Sequence, residues 1–117
     1  MDIYLHYQMK LENTQSQMRK GVLEYCILTL ASSGEMYASD IIMHLKEAKL
    51  IIVEGTLYPL LTRLKNAGLL SYAWKESDQG PPRKYYSLTE EGTKFNTQLA
   101  DTWLELSNSV NQLTNSK

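Results

Sequence analysis

Leu70-Ser71-Tyr72-Ala73-Trp74-Lys75, and beyond it Gly80-Pro81-Pro82-Arg83-Lys84-Tyr85-Tyr86-Ser87-Leu88, is the stretch whose reading decides the fold. Leu70, Tyr72 and Trp74 alternate with Ser71, Ala73 and Lys75, and that period of two puts the apolar side chains on one face of a strand. Arg83 to Leu88 reads as a second strand. Ser77 to Pro82 carries the glycine and prolines of a loop, so the two runs predict a hairpin with a pair of cations just past its tip.

Upstream the period changes from that of a strand to that of a helix. Glu54-Gly55-Thr56 opens a helix with Leu57, Leu60, Leu61, Leu64 and Ala67 inward, and Gly68 stops it. Pro59 is tolerable in a first turn, where backbone N–H groups have no intrahelical acceptor, so the helix is expected to begin only shortly before it. The other face carries Thr56, Tyr58, Pro59, Thr62, Arg63 and Asn66, groups able to reach base edges and phosphates from a helix in a groove. Before it lies the brief β-branched run Leu50-Ile51-Ile52-Val53, and before that a short helix started by Ser39 or Asp40 with Ile41, Ile42, Leu45 and Ala48 at helical spacing. A first helix is expected from Thr14 and Gln17, which have the form of a capping box, to about Ser32-Ser33-Gly34, with Met18, Val22, Cys26 and Leu30 on a stripe widened by Leu23 and Ile27. In residues 1–13, Ile3, Leu5, Tyr7, Met9 and Leu11 alternate with polar residues as a strand would. No hairpin partner is near, and this arm is left unassigned.

Three helices followed by a hairpin with a basic shoulder predict a mainly α fold with a small β-hairpin (α+β), a winged helix-turn-helix over residues 14–88. Thr89-Glu90-Glu91 then starts a last helix over 89–117, with a capping hydroxyl and two acids where the helix dipole favours them. Phe95, Leu99, Trp103, Leu106, Val110 and Leu113 recur there at spacings of four and three. That is an a/d seam on a segment with little remaining protein to bury it, so a matching helix from a second subunit is the expected partner and the chain is expected to be a homodimer.

Composition sets the outer bounds. The 117 residues are 43% hydrophobic and 21% charged, which suits one globular domain and excludes a disordered tail. No stretch approaches the roughly 20 apolar residues of a membrane span. The N-terminus has neither the basic region nor the apolar block of a secretory signal, and a cytoplasmic protein without membrane partners is expected. The single cysteine, Cys26, lies in an apolar run and reads as a buried free thiol. Net charge is −1, yet residues 1–88 carry ten Lys or Arg against nine Asp or Glu while residues 89–117 carry two against four, so the acidic excess sits at the C-terminal end. The two histidines, His6 and His44, fall in unrelated elements with no Cys, Asp or Glu at triad or metal-ligand spacing, and no glycine-rich phosphate loop occurs. No enzyme activity, cofactor or metal is expected.

Two runs together resemble the PadR family of transcriptional regulators. One is Glu54-Gly55-Thr56-Leu57-Tyr58-Pro59-Leu60-Leu61 with Arg63-Leu64 and Gly68-Leu69; the other is Gly80-Pro81-Pro82-Arg83-Lys84-Tyr85-Tyr86 leading into Leu88-Thr89-Glu90-Glu91-Gly92. The likeness reaches back to Arg19-Lys20-Gly21-Val22-Leu23-Glu24, and the short tail is similar to that of the smaller subfamily with a single C-terminal dimerisation helix. The resemblance implies a dimeric repressor of a pseudo-palindromic operator in double-stranded DNA, with the third helix in the major groove, the wing on the minor groove or phosphates, and release by a small molecule. Where family members have Tyr-Gly-Tyr-Glu, this chain has Tyr37-Ala38-Ser39-Asp40, keeping the first aromatic and replacing the glycine and the second aromatic. The expected DNA-binding residues are therefore Tyr37, Ser39, Thr56, Tyr58, Thr62, Arg63, Arg83 and Lys84. Arg83 and Lys84 point to opposite faces of a regular strand, and of Tyr85 and Tyr86 one is expected to pack under the wing with Trp74. Trp103 has two open readings, an interface anchor or, with its symmetry mate, a ring pair that sandwiches an aromatic or hydrophobic effector. The competing function is a winged-helix protein interaction module without specific DNA binding.

Overall fold

The computed structural model describes residues 2–78 and 80–115. Its elements are α1 (Ile3–Ser32), α2 (Ala38–Glu47), α3 (Glu54–Asn66), β1 (Leu70–Ser77), β2 (Gly80–Leu88) and α4 (Glu90–Asn115). This is the expected α+β order of three helices, a hairpin and a last helix.

The largest departure is at the start. Residues 3–13 are not an arm but the first turns of α1, and Thr14 with Gln17 lies well inside the helix instead of capping it. The cap is Asp2, whose carboxylate accepts the Tyr4 N–H at 3.0 Å. The alternation that left this segment unassigned does not make a strand, because no strand pairs with it. At helical spacing Tyr4, Tyr7, Leu11, Met18, Val22 and Tyr25 instead form one stripe. The C-terminal half of α1 sits on the domain through Leu23, Ile27, Leu28 and Ala31, all buried, and a helix once anchored adds further turns cheaply.

α2 starts at Ala38, a residue before the expected signal. Asp40 still acts there, because its carboxylate reaches back to accept the Tyr37 N–H at 3.0 Å. The helix closes with Lys49 in the left-handed region (φ 65°), the Leu50 N–H donating to the Leu45 carbonyl and the Lys49 N–H to that of Lys46. α3 closes in the same way at Gly68 (φ 80°), where glycine is at ease. Leu50 to Val53 forms no strand: Ile52 turns into the core while Ile51 and Val53 stay exposed. Pro59 lies past the first turn of α3, later than expected, so the Gly55 carbonyl four residues back loses its donor. Gly55 is exposed and water can serve that carbonyl.

The hairpin is antiparallel with Leu70 opposite Leu88, Tyr72 opposite Tyr86, Trp74 opposite Lys84 and Lys75 opposite Arg83. Its second strand begins at Gly80, so the expected Ser77–Pro82 loop is mostly sheet; Gln79 lies outside the described residues. Pro81 and Pro82 together stand opposite Glu76 at a register shift, where the ladder needs no donor from them. A bridge that the sequence did not announce ties the α1–α2 connection to the wing: the Met36 N–H donates to the Tyr86 carbonyl at 3.0 Å and the Tyr86 N–H to that of Met36 at 2.8 Å.

Ile27 and Leu28 of α1, Ile41 of α2 and Leu57, Leu61 and Leu64 of α3 are the largest fully buried side chains, and each contributes about 2 kcal/mol by leaving water. Tyr86 closes this core from the wing side, where burial raises its hydroxyl pKa. Cys26 is half-buried beside the core, and burial likewise pushes its thiol up. Thr89 caps α4 as expected, its hydroxyl oxygen accepting the Gly92 N–H at 2.9 Å while its proton goes to the Gly68 carbonyl at 2.6 Å.

Candidate nucleic-acid interface

At 100° per residue, the burial of Leu57, Leu61 and Leu64 leaves Gly55, Pro59, Thr62 and Asn66 as the outward ridge of α3, and all four are exposed. Tyr58 flanks the ridge on the wing side; Thr56 and Arg63 flank it on the α1 side.

Five of the eight expected residues meet on the wing side. Tyr37 and Ser39 at the start of α2, Tyr58 of α3, and Arg83 and Lys84 of β2 line one open cleft of about 360 Å³, together with Trp74, Glu54, Ala38 and Tyr86. Alternation separates Arg83 from Lys84, as the strand period requires, yet both border this cleft. The Arg83 guanidinium lies 4.4 Å from the Tyr37 ring centre, while the Lys84 ammonium sits 4.5 Å from the Tyr72 ring and 5.4 Å from that of Trp74. Aromatic faces thus hold both cations without neutralising them. Among the described residues neither cation has a salt-bridge partner.

Tyr85 lies against Tyr37 with ring centres 3.8 Å apart and the planes tilted by 38°, and the hydrogen bond to Tyr37 raises its hydroxyl pKa. Lys75 lies over the Tyr85 ring at 4.6 Å and pairs with Glu35 at 2.9 Å. Arg83, Tyr37, Tyr85, Lys75 and Glu35 therefore run as one continuous stack across the base of the wing. Of the two tyrosines, Tyr86 packs under the wing, beside Tyr72 at 6.0 Å, while Trp74 stays 62% exposed. The density of Tyr, Lys and Arg between residues 72 and 86 signalled this cluster, and the resemblance had marked Tyr37; Glu35 carried no such signal.

The other three expected residues lie elsewhere. Thr62 stands on the outward ridge. Thr56 borders a groove between α1 and α3 that also holds Arg19 and Lys20, cations the sequence reading did not single out for contact. Arg63 is paired with Glu24 of α1 while its side chain stays 68% exposed.

At the other end of the molecule, Leu99, Trp103 and Leu106 of the expected seam line a groove against Gly21, Val22 and Tyr25 of α1. Leu99 packs on the core, whereas Phe95, Trp103, Leu106, Val110 and Leu113 are 40–78% exposed. Residues 116–117 at the end of the expected helix lie outside the described residues. Among the described residues no group of three or more His, Cys, Asp or Glu could hold a metal ion, and no helix is long and apolar enough to cross a membrane.

Three helices flanked by a hairpin wing, with a long last helix behind them, define the chain as a winged helix-turn-helix protein. The family model described as transcriptional regulator PadR-like matches residues 27–98. A PadR-like transcription factor from Bacteroides fragilis is 63% identical, covering 86% of this chain and 98% of its own with a TM-score of 0.73. A PadR family regulator from Eggerthella lenta is 27% identical, covering 97% of this chain and 99% of its own at 0.86. A PadR-like regulator from Bacillus cereus is 36% identical, covering 86% and 99% at 0.77. The chain belongs to the PadR-like family of transcriptional regulators, whose members bind DNA and are not enzymes.

Proposed function

We propose that the protein is a cytoplasmic, homodimeric repressor that reads a pseudo-palindromic operator. The observation that carries this is the convergence of Tyr37, Ser39, Tyr58, Arg83 and Lys84 on one cleft beside the outward ridge of α3, with both cations unpaired among the described residues. Thr62, together with Pro59 and Asn66 on the same ridge, enters the major groove, and the wing cations bind phosphate. Glu54 on the same cleft repels phosphate, which limits how deep the backbone can seat there.

Dimerisation uses Phe95, Leu99, Trp103, Leu106, Val110 and Leu113. The stripe of Tyr4, Tyr7, Leu11 and Met18 on α1 joins them, because these side chains project from the domain and none of the described residues covers them fully. A small aromatic or hydrophobic effector binds between the two Trp103 rings and favours a dimer whose reading heads no longer match the operator. Repression follows from steric exclusion of RNA polymerase.

Footprinting on the DNA upstream of its own gene tests the reading. Two protected half-sites about 34 Å apart are expected. A single protected half-site, or none on any genomic fragment, would refute it.

A further inference from the structure

Arg63 has the side chain that would reach farthest from α3 toward a base, yet its guanidinium is engaged by Glu24 on α1. The pair is asymmetric: the Glu24 side chain is 25% exposed against 68% for Arg63. A carboxylate mostly withdrawn from water is costly unless a cation compensates it, so the anchored end is Glu24 and the guanidinium is held to it. Arg63 also lies on the flank of α3 that meets α1, about 60° around the helix from Asn66 and 100° from Thr62.

We propose that Glu24 and Arg63 form a positioning pair that fixes the seat of α3 on α1, so that Arg63 acts on DNA through the placement of the reading ridge and not by touching DNA. This rests on the reading of α3 as the helix that enters the groove. It assigns a role to Glu24, which is remote from the outward ridge, and it changes what loss of Arg63 means.

The sign of one substitution separates the alternatives. Glu24→Gln removes the charge that holds the guanidinium. Were Arg63 a DNA contact restrained by Glu24, this variant would bind operator more tightly, and Arg63→Ala would lower the slope of log affinity against log salt by about 0.9. The positioning role gives the reverse: Glu24→Gln and Arg63→Ala each weaken operator binding about tenfold at temperatures where both remain folded, the salt slope stays that of the wild type, and the double variant is no weaker than either single one. Arg63→Lys, which keeps a cation near Glu24, recovers part of the affinity.

Amide hydrogen exchange gives a readout that needs no DNA. Both single variants should exchange faster in α3 while α2 and the hairpin keep their protection. Tighter binding in Glu24→Gln, a slope lowered by one charge in Arg63→Ala, or unchanged exchange in α3 would each overturn the proposal. If the wild type selects no DNA at all, the repressor reading fails, and additive effects of the two substitutions on exchange would then sink the pair separately.

Discussion

A Cβ at position 92 would collide with the Leu69 carbonyl oxygen and stand 2.8 Å from Leu88 Cδ1, so the first turn of α4 can lie against the start of the hairpin only with glycine there. Overpacking against backbone cannot be relieved by a rotamer change, and Gly92→Ala is expected to cost about 3 kcal/mol. Denaturant unfolding reads that loss directly, and an unchanged midpoint would contradict the packing described. At this scale the sequence was legible where one residue does a local job. Thr89 as a cap and Gly68 as a stop stand where propensity puts them. Gly92 was not legible, because its reason is a carbonyl from another element. The Glu24–Arg63 contact was hidden in the same way: the outward reading of Arg63 on its own helix was compatible with exposure, and only the approach of α1 reveals what holds it.

Elements with a clean period were readable in kind and in their inward residues, though the hairpin runs further toward its tip than its alternation did. Leu57, Leu61 and Leu64 set α3, alternation set the hairpin, and the four-and-three spacing set α4. Where two periods competed, burial decided. Ile3 to Leu11 alternates like a strand, but it continues a helix anchored in the core and has no strand to pair with, so helix wins. The Met36–Tyr86 bridge was invisible for a related reason, since pairing between distant segments leaves no local mark. The exposed seam of α4 carries a prediction of its own. Val110 is 48% exposed, and no described contact seats it against the core of its own chain. Val110→Glu should therefore leave the helical content and the winged domain intact while converting a dimer to a monomer in sedimentation. A variant that sediments as the wild type would remove Val110 from the interface.

The whole molecule is elongated, with extents of 53 × 38 × 24 Å and a radius of gyration of 17.1 Å, where a compact chain of this length would have about 13 Å. The excess comes from the N-terminal half of α1 and the C-terminal half of α4, which extend beyond the winged domain. Both carry exposed apolar side chains at helical spacing, Ile3, Tyr7 and Met18 on one and Leu106 and Val110 on the other. Such faces fit a partner better than they fit water. The near-zero net charge is no obstacle at this scale, because the wing gathers Arg83 and Lys84 while the acidic excess lies on the segment that forms α4.

Fluorescence anisotropy with the duplex from upstream of its own gene, titrated over a series of salt concentrations against a scrambled duplex, tests the central claim most directly, with Arg83→Ala and Lys84→Ala measured alongside. Tight, salt-sensitive binding that prefers the upstream duplex is expected, with the slope of log affinity against log salt falling by about 0.9 for each wing cation removed. Equal affinity for both duplexes, or a slope indifferent to both substitutions, would contradict a repressor that reads DNA through α3 and grips it with the wing.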